Sequence, residues 1–446
     1  MNILQVNTAD RGGGAEGSAR ALFEAYRRRG DASWLAVGRK LSADPDVFEI
    51  PGAVAPGWLG RRLQRLAERL RRADASRPWA AGLARRLDLL AWPERRRDWA
   101  AGVEDFNFPG TARLLELCPR LPEIVHCHNL HGGYFDLREL PALSHRVPLI
   151  LNLRDTWLIT GHCGYFIACE RWRQGCGHCP DLRRYPPVRR DATASNWQRK
   201  AALYARSRLY VTAPSQWLLD CARASCLGGA EYRLIPNGID LSVFQPGDRA
   251  LARQRFGLPP AAPVVLFAAA SRRNVYKDPD TMNAAIRAIA AAWTSAPPPI
   301  FVCVGTKVPA AGLRGLDLRC VPFLADPTAL ADCYRAADVF IHTANAEAFG
   351  KTVTEAMACG TPVVASAVGG IPEQILDGRT GYLAPAGDAA TLARHALQLL
   401  GAASLRAELG AQAAQQGARF SLERQVDAFL AWYAEILQRP LPPPSP

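Results

Sequence analysis

The chain runs to 446 residues with 49% hydrophobic side chains, too long for one ordinary core and too apolar for a disordered chain, so two globular domains are expected. Its formal net charge is +13, and its 12 cysteines are spread through a large chain, which excludes a small disulfide-framed secreted scaffold and points to mostly reduced thiols in a cytosolic setting. No apolar run reaches the length of a transmembrane helix.

The first residues, Met1-Asn-Ile-Leu-Gln-Val-Asn, lack the basic region and long apolar stretch of a signal peptide and read as a buried strand over Ile3 to Val6. The loop Asp10-Arg-Gly-Gly-Gly14 and a helix from Ala15 to Arg29 follow. Gly12, Gly14 and Gly17 have G-x-G-x-x-G spacing, but the acid that a dinucleotide site needs is missing: Asp31 comes too early and Asp44 sits in a turn. The loop, Gly13 and Gly14 included, is therefore read as facing an interdomain cleft.

Residues 1–200 hold 32 Lys and Arg against 22 Asp and Glu, and between Arg61 and Asp98 twelve arginines face five acids. Leu59, Leu63, Leu66 and Leu70 recur at helical spacing with Arg61, Arg62, Arg65, Arg69 and Arg72 among them, and Trp58, Trp79, Trp92 and Trp99 punctuate the stretch. Such a segment suits docking on an anionic membrane face. It suits equally an ordinary helical insertion with leucines packed inward and arginines solvated, because both need the same periodicity. Nucleic acid is not an expected partner, since no reading motif accompanies the charge.

Further strands are expected at Ile124 to Cys127, Leu149 to Leu153 and Leu209 to Thr212, each followed by polar residues. The first runs into His126-Cys-His128-Asn-Leu-His131-Gly-Gly133, where alternation puts His126 and His128 on one face. A metal site and a hydrogen-bonded structural role both remain open there, the latter favoured for His126. The second ends in Arg154-Asp155-Thr-Trp157. Directly after come Cys163, Cys169, Cys176 and Cys179, with His162 and His178 interleaved. Four thiolates could close a tetrahedral structural zinc site, although the first spacing is not that of a standard finger. Reduced or redox-paired cysteines are the plainer alternative. Cys303 and Cys359 read as small core residues.

In the second half, strands are expected at Val264 to Ala270, Ile300 to Val304, Val339 to His342 and Pro362 to Ser366. Strands alternating with helices imply parallel sheets, hence an α/β protein of two Rossmann-like domains. The expected divisions are 1–234, 235–421, a last helix over 422–438 that returns to the first domain, and a loose proline-rich tail over 439–446. The most informative stretch is Glu347-Ala-Phe-Gly-Lys-Thr-Val-Thr-Glu355, which lies between a strand and a helix. Gly350 lets a ligand approach backbone amides at a helix N-terminus, which favours negative charge.

That Glu-x7-Glu stretch resembles the motif of retaining glycosyltransferases of the GT-B fold, family 4, also called group 1. Ile235-Pro-Asn-Gly-Ile-Asp240 with Phe244, the basic pair Arg272 and Lys277, Val304-Gly305, Ala336-Ala-Asp-Val339, Gly369-Gly-Ile-Pro-Glu373 and Gly378-Arg-Thr-Gly381 follow the family's order. The resemblance implies two domains facing a central cleft and catalysis by Glu347, Arg272 and Lys277. Arg272, Lys277, Glu347, Phe349, Gly350, Lys351 and Glu355 would bind a nucleoside diphosphate-sugar, with the basic pair on the diphosphate and Glu355 on the ribose. Gly13, Gly14, His128, Arg154 and Asp155 would line the acceptor side. No metal is needed for transfer, and the acceptor would be a saccharide, free or lipid-linked, in surface polysaccharide assembly at the inner membrane face. Thr160 to Pro180 is similar to a cysteine-bearing stretch in some polysaccharide enzymes of this family.

One departure stands out. Relatives sharing Asp-x-Trp usually carry His-Asp where this chain has Arg154-Asp155, and arginine can only donate hydrogen bonds. A rival reading from another class is a non-catalytic assembly protein that binds nucleotide-sugar or membrane through the same fold. A sucrose-type synthase, a nucleotide-sugar epimerase and a dinucleotide oxidoreductase stand further off.

Overall fold

A computed structural model describes residues 1–52, 55, 57–73, 78–268, 275–305, 313 and 315–439, side chains excepted at 71–73, 78 and 81. The chain divides into two compact units. One comprises Met1–Thr212, Asp220–Arg233 and the chain from Tyr433 on, and the other comprises Ala213–Leu219 and Leu234–Trp432.

The first unit is built on strands β1 (Asn2–Ala9), β2 (Ala32–Arg39), β3 (Val47–Glu49), β4 (Ile124–Cys127), β5 (Leu149–Asn152), β6 (Leu209–Ala213) and β7 (Glu231–Leu234). Their order is β3-β2-β1-β4-β5-β6-β7, and every pair from β3 through β6 is parallel. Helix α1 (Gly14–Arg28) covers the sheet with Leu22, Phe23 and Tyr26, all buried. Between β3 and β4 stand three helices, α2 (Gly57–Ala73), α3 (Pro78–Ala91) and α4 (Pro93–Ala101).

The second unit carries β8 (Val264–Ala268), β9 (Ile300–Gly305), β10 (Leu318–Pro322), β11 (Val339–His342), β12 (Val363–Ser366) and β13 (Gly381–Ala384), in the order β10-β9-β8-β11-β12-β13, all parallel. Both faces of this sheet are covered, which is why its strands read as continuous apolar runs rather than alternating ones. On β8, Val264 and Leu266 join one core with Met357, while Val265 and Phe267 join another with Leu392.

The two sheets share a feature that places their sites. Strand order reverses between β1 and β4 in one and between β8 and β11 in the other, and a crevice at the carboxyl ends of the strands forms at such a reversal. The expected strands lie where the apolar runs put them, except that the last two residues of the expected Val264 to Ala270 fall outside the described residues, and β1 is longer than anticipated. β2, β3, β7, β10 and β13 were not anticipated: β3 is three residues and β7 and β10 are only partly buried.

Candidate active site

In the second unit, residues following β8 and β11 converge at the reversal. Lys277, in a short 3-10 turn (Val275–Lys277), donates to Glu347 Oε2. The turn is fastened to the segment after β11, because Asn345 N–H donates to Tyr276 O at 2.9 Å and Thr343 Oγ1 to Lys277 O at 3.2 Å. His342, the last residue of β11, has Nε2 3.8 Å from Glu347 Oε2. Burial drives His342 down to about 3, with the Lys277 charge adding to the effect, so it is a neutral imidazole. Burial pushes Glu347 the other way, but the Lys277 charge and hydrogen bond, with the Phe349 amide, outweigh it and hold the carboxyl below its ordinary value. The outcome is an ionised carboxylate beside a cation in a shielded corner.

The Glu347–Phe349 backbone is gripped from behind. Gly370 N–H donates to Glu347 O at 3.2 Å, Ser215 Oγ to Ala348 O at 2.7 Å, and the buried Gln374 amide to Phe349 O. Glu373 accepts from Gln216 N and Trp217 N at 2.7 and 2.8 Å. Gly369 has φ +53°, and a Cβ there would lie 1.8 Å from Glu347 O. This explains the Gly369-Gly-Ile-Pro-Glu373 stretch: its glycines let one loop pass directly behind the other.

Gly350 (φ +89°) caps the helix Lys351–Ala358, and a Cβ on it would strike Ile371 Cδ1 at 2.3 Å. Phe349 packs its ring edge-on to Phe420, centroids 5.6 Å apart. Glu355, on the same helix, accepts from Tyr334 Oη at 3.1 Å and has Lys351 Nζ at 3.7 Å. Burial raises its pKa, partly offset by Lys351 and the tyrosine. Beside it opens an apolar pocket of about 180 Å³ between Leu266, Ala268, Gly305, Phe323, Tyr334 and Thr352. Lys277, Glu347, Phe349, Gly350, Lys351 and Glu355 thus fall in one neighbourhood, while Arg272 lies outside the described residues. His342 and Tyr334 were missed from sequence. His342 ends the strand directly before the motif, a position that could have flagged it.

In the first unit, residues after β1, β4 and β5 gather at the other reversal. Asp10 is buried and accepts from Leu41 N and Ser42 N at 2.7 and 2.9 Å, which anchors the glycine loop. Gly13 and Gly14 are exposed, and the N-terminus of α1 has no side-chain cap. His128 is buried with both ring nitrogens engaged: Nε2 is 2.8 Å from the Gln5 amide, and Nδ1 accepts from Arg154 Nη2 at 3.0 Å. Burial keeps His126 and His128 neutral and lowers Arg154 to about 10. Arg154 thus holds the His128 ring through Nδ1.

Asp155 pairs with a residue that the sequence reading passed over: His131 Nε2 lies 2.8 Å from Asp155 Oδ2. Burial lowers the His131 pKa, but the Asp155 charge and hydrogen bond outweigh it, and the net shift is upward. Below this loop, the fully buried Lys200 ties Glu104 (2.9 Å), Trp157 O (2.8 Å) and Thr160 O (3.0 Å) together. Trp157 Nε1 donates to Glu104 at 2.6 Å. Nothing local marks Lys200, because its partners are remote in sequence.

The four thiols of the cysteine loop, the candidate zinc ligands, all lie within the described residues. Among the described residues no group of three or more His, Cys, Asp or Glu is placed to hold a metal ion. All four cysteines are free, Cys176 Sγ accepts from Gly161 N–H at 3.2 Å, and Cys179 Sγ lies 3.3 Å from His162 Nε2. Burial pushes the thiols of Cys163 and Cys176 up to about 12 and about 11.

Against known proteins, the family model described as "Glycosyl transferases group 1" matches residues 248–416. A D-inositol 3-phosphate glycosyltransferase of Streptomyces bingchenggensis is 31% identical over 373 residues, covering 75% of this chain and 81% of that protein. The chain belongs to the group 1 glycosyltransferases. Another member, D-inositol 3-phosphate glycosyltransferase 2 of Catenulispora acidiphila, is 37% identical over 214 residues, 45% of this chain and 50% of that protein. The chain likewise spans about half the length of the other curated relatives it matches most strongly. In fold, this family member is similar to sucrose-phosphate synthase of Thermosynechococcus elongatus (TM-score 0.66, 21% identity, 98% and 99% of the two chains covered). It is also similar to Anabaena HepE in complex with UDP-glucose (TM-score 0.59, 19% identity, 98% and 99% covered). Its two parallel sheets with helices are the GT-B architecture.

Proposed function

We propose that the protein is a retaining glycosyltransferase that moves a hexosyl group from a nucleoside diphosphate-sugar to a saccharide acceptor. The observation that carries this reading is the Lys277–Glu347 pair beside His342, together with an apolar pocket lined by Tyr334, whose hydroxyl donates to Glu355. A nucleobase fits the pocket, and its ribose hydroxyls reach Glu355. The diphosphate takes Lys277, Arg272 and the amides at Gly350 and Lys351. The sugar hydroxyls meet Glu347.

A leaving nucleoside diphosphate gains negative charge in the transition state, and fixed cations in a shielded site lower that barrier. The bond from the anomeric carbon to phosphate oxygen breaks, and the bond to the acceptor oxygen forms on the same face. The acceptor proton passes to the departing phosphate, so no protein base is required. On the acceptor side, Gly13, Gly14, His128, Arg154 and Asp155 belong with His131. That HepE has been observed with UDP-glucose favours a uridine donor.

The acceptor is a lipid-linked saccharide of surface polysaccharide assembly, met at the inner face of the cytoplasmic membrane. The relatives' names favour a second acceptor, a phosphorylated inositol, and both belong in the same assay. A thermal-shift screen with UDP-, GDP-, ADP- and dTDP-sugars tests the donor site. Ligand at about a hundred times its Kd adds about 2.7 kcal/mol of stability, and one base is expected to stand out. No shift with any donor, together with no turnover, overturns the enzyme in favour of a non-catalytic assembly protein.

A further inference from the structure

Helices α2 and α3 form an antiparallel pair whose side chains are distributed against the usual rule. Where they meet other protein they bury small residues: Gly60 and Ala67 on α2, and Ala80, Ala84 and Ala91 on α3. A Cβ on Gly60 would lie 3.2 Å from Ala91 O, so the two backbones approach closely. Leu63, Leu70, Leu87 and Leu89 are half-buried, and the remaining large apolar side chains point to water. Trp58 is 65% exposed, Trp79 60% and Leu90 56%, with Leu59, Leu66 and Leu83 also exposed. Trp79, Leu83 and Leu90 recur at i, i+4 and i+11, which makes a single stripe along α3 with Arg86 beside it. On α2, Arg62, Arg65 and Arg69 share the exposed side with Trp58, and Arg62 lies over the Trp58 ring at 5.3 Å. The leucine periodicity therefore divides: Leu63 and Leu70 are half-buried beside the alanines of the seam, while Leu59 and Leu66 are exposed.

We infer that the exposed face of the α2–α3 hairpin docks on a bilayer containing anionic lipid. Exposed tryptophan and leucine enter the boundary between headgroups and acyl chains, and arginines beside them meet lipid phosphates. Charge selects this occupant over a second copy of the chain. Residues 57–73 and 78–101 hold eleven arginines against four acids, so two such faces would set arginine against arginine. No helix among the described residues is long and apolar enough to cross a membrane, so the hairpin lies on the surface. The inference stands apart from the donor site, because its readout is vesicle binding and not turnover.

The test is flotation of the full chain with vesicles of phosphatidylcholine alone and of phosphatidylcholine mixed with phosphatidylglycerol. Binding is expected to the mixed vesicles only and to weaken as salt is raised. Arg62→Gln with Arg65→Gln and Arg69→Gln should weaken it about a hundredfold. Trp58→Ser with Trp79→Ser and Leu90→Ser should abolish it, and both triple variants should melt with the parent because the side chains are exposed. Equal binding to both vesicle types, binding to neither, or variants that bind as the parent does would overturn the inference. A dimer that the Trp/Leu variant dissolves, with no vesicle binding, would assign the face to a second copy.

Discussion

Replacing Lys277 with Met removes the cation from a carboxylate that is largely out of water. The Glu347 side chain is 14% exposed and Lys277 31%. Removing one partner of a buried pair costs about 3–5 kcal/mol, because the other charge is left uncompensated. Lys277 keeps some solvent, so the low end, about 3 kcal/mol, is expected at neutral pH. The pH dependence follows from signs. In the parent, the Glu347 pKa sits below its ordinary 4.5, so the pair's contribution is present above that value and lost as pH falls through the lowered one. In the variant, burial prevails and the folded-state value rises above 4.5, so the variant loses stability as pH climbs from there. The gap between the two proteins should be smallest below the lowered Glu347 value, open as pH rises through it toward 4.5, and widen further as the variant loses stability above 4.5. Adding Glu347→Gln removes the stranded charge and should recover at least half of the loss, with a flat pH profile. Urea unfolding of the full chain across this range is the assay, with the parent, Lys277→Met, Glu347→Gln and the double variant compared on the same transition because two units need not unfold together. Parallel pH curves, or a double variant no more stable than Lys277→Met, would show that the two groups do not share a shielded site.

Two further outcomes are expected. Gly369→Ala places a methyl against Glu347 O and should cost more than about 3 kcal/mol, whereas Gly378→Ala, at φ +72° with no atom within 4 Å, should cost only about 1–2 kcal/mol, the ordinary left-handed penalty; equal losses on unfolding would refute the clash. Asp155→Asn should lower the His131 pKa in an NMR titration. Because Asp155 raises it, the pair's stabilisation is complete below about pH 6.5 and fades as pH rises through the raised value, so an unmoved His131 would deny the contact.

Much of the fold was legible in the sequence. Parallel strands buried on both faces read as short apolar runs, as Ile124 to Cys127 and Val339 to His342 do. β2, β3, β7, β10 and β13 escaped the reading; of these, β3 is only three residues and β7 and β10 are half in water, so little apolar pattern marks them. The Glu-x7-Glu stretch was legible too, because Glu347, Gly350 and Glu355 lie within one strand–loop–helix turn.

What the tertiary structure alone decided are the partnerships. Lys277 meets Glu347 across 70 residues, Lys200 meets Glu104 across 96, and Asp155 takes His131 and leaves His128 to Arg154. These pairs depend on which strands lie side by side, and strand order is set by crossover connections and not by any local period. The hairpin shows the same division. Periodicity established that α2 has an apolar side, but whether that side faces protein or water was settled by the alanines that fill the seam first.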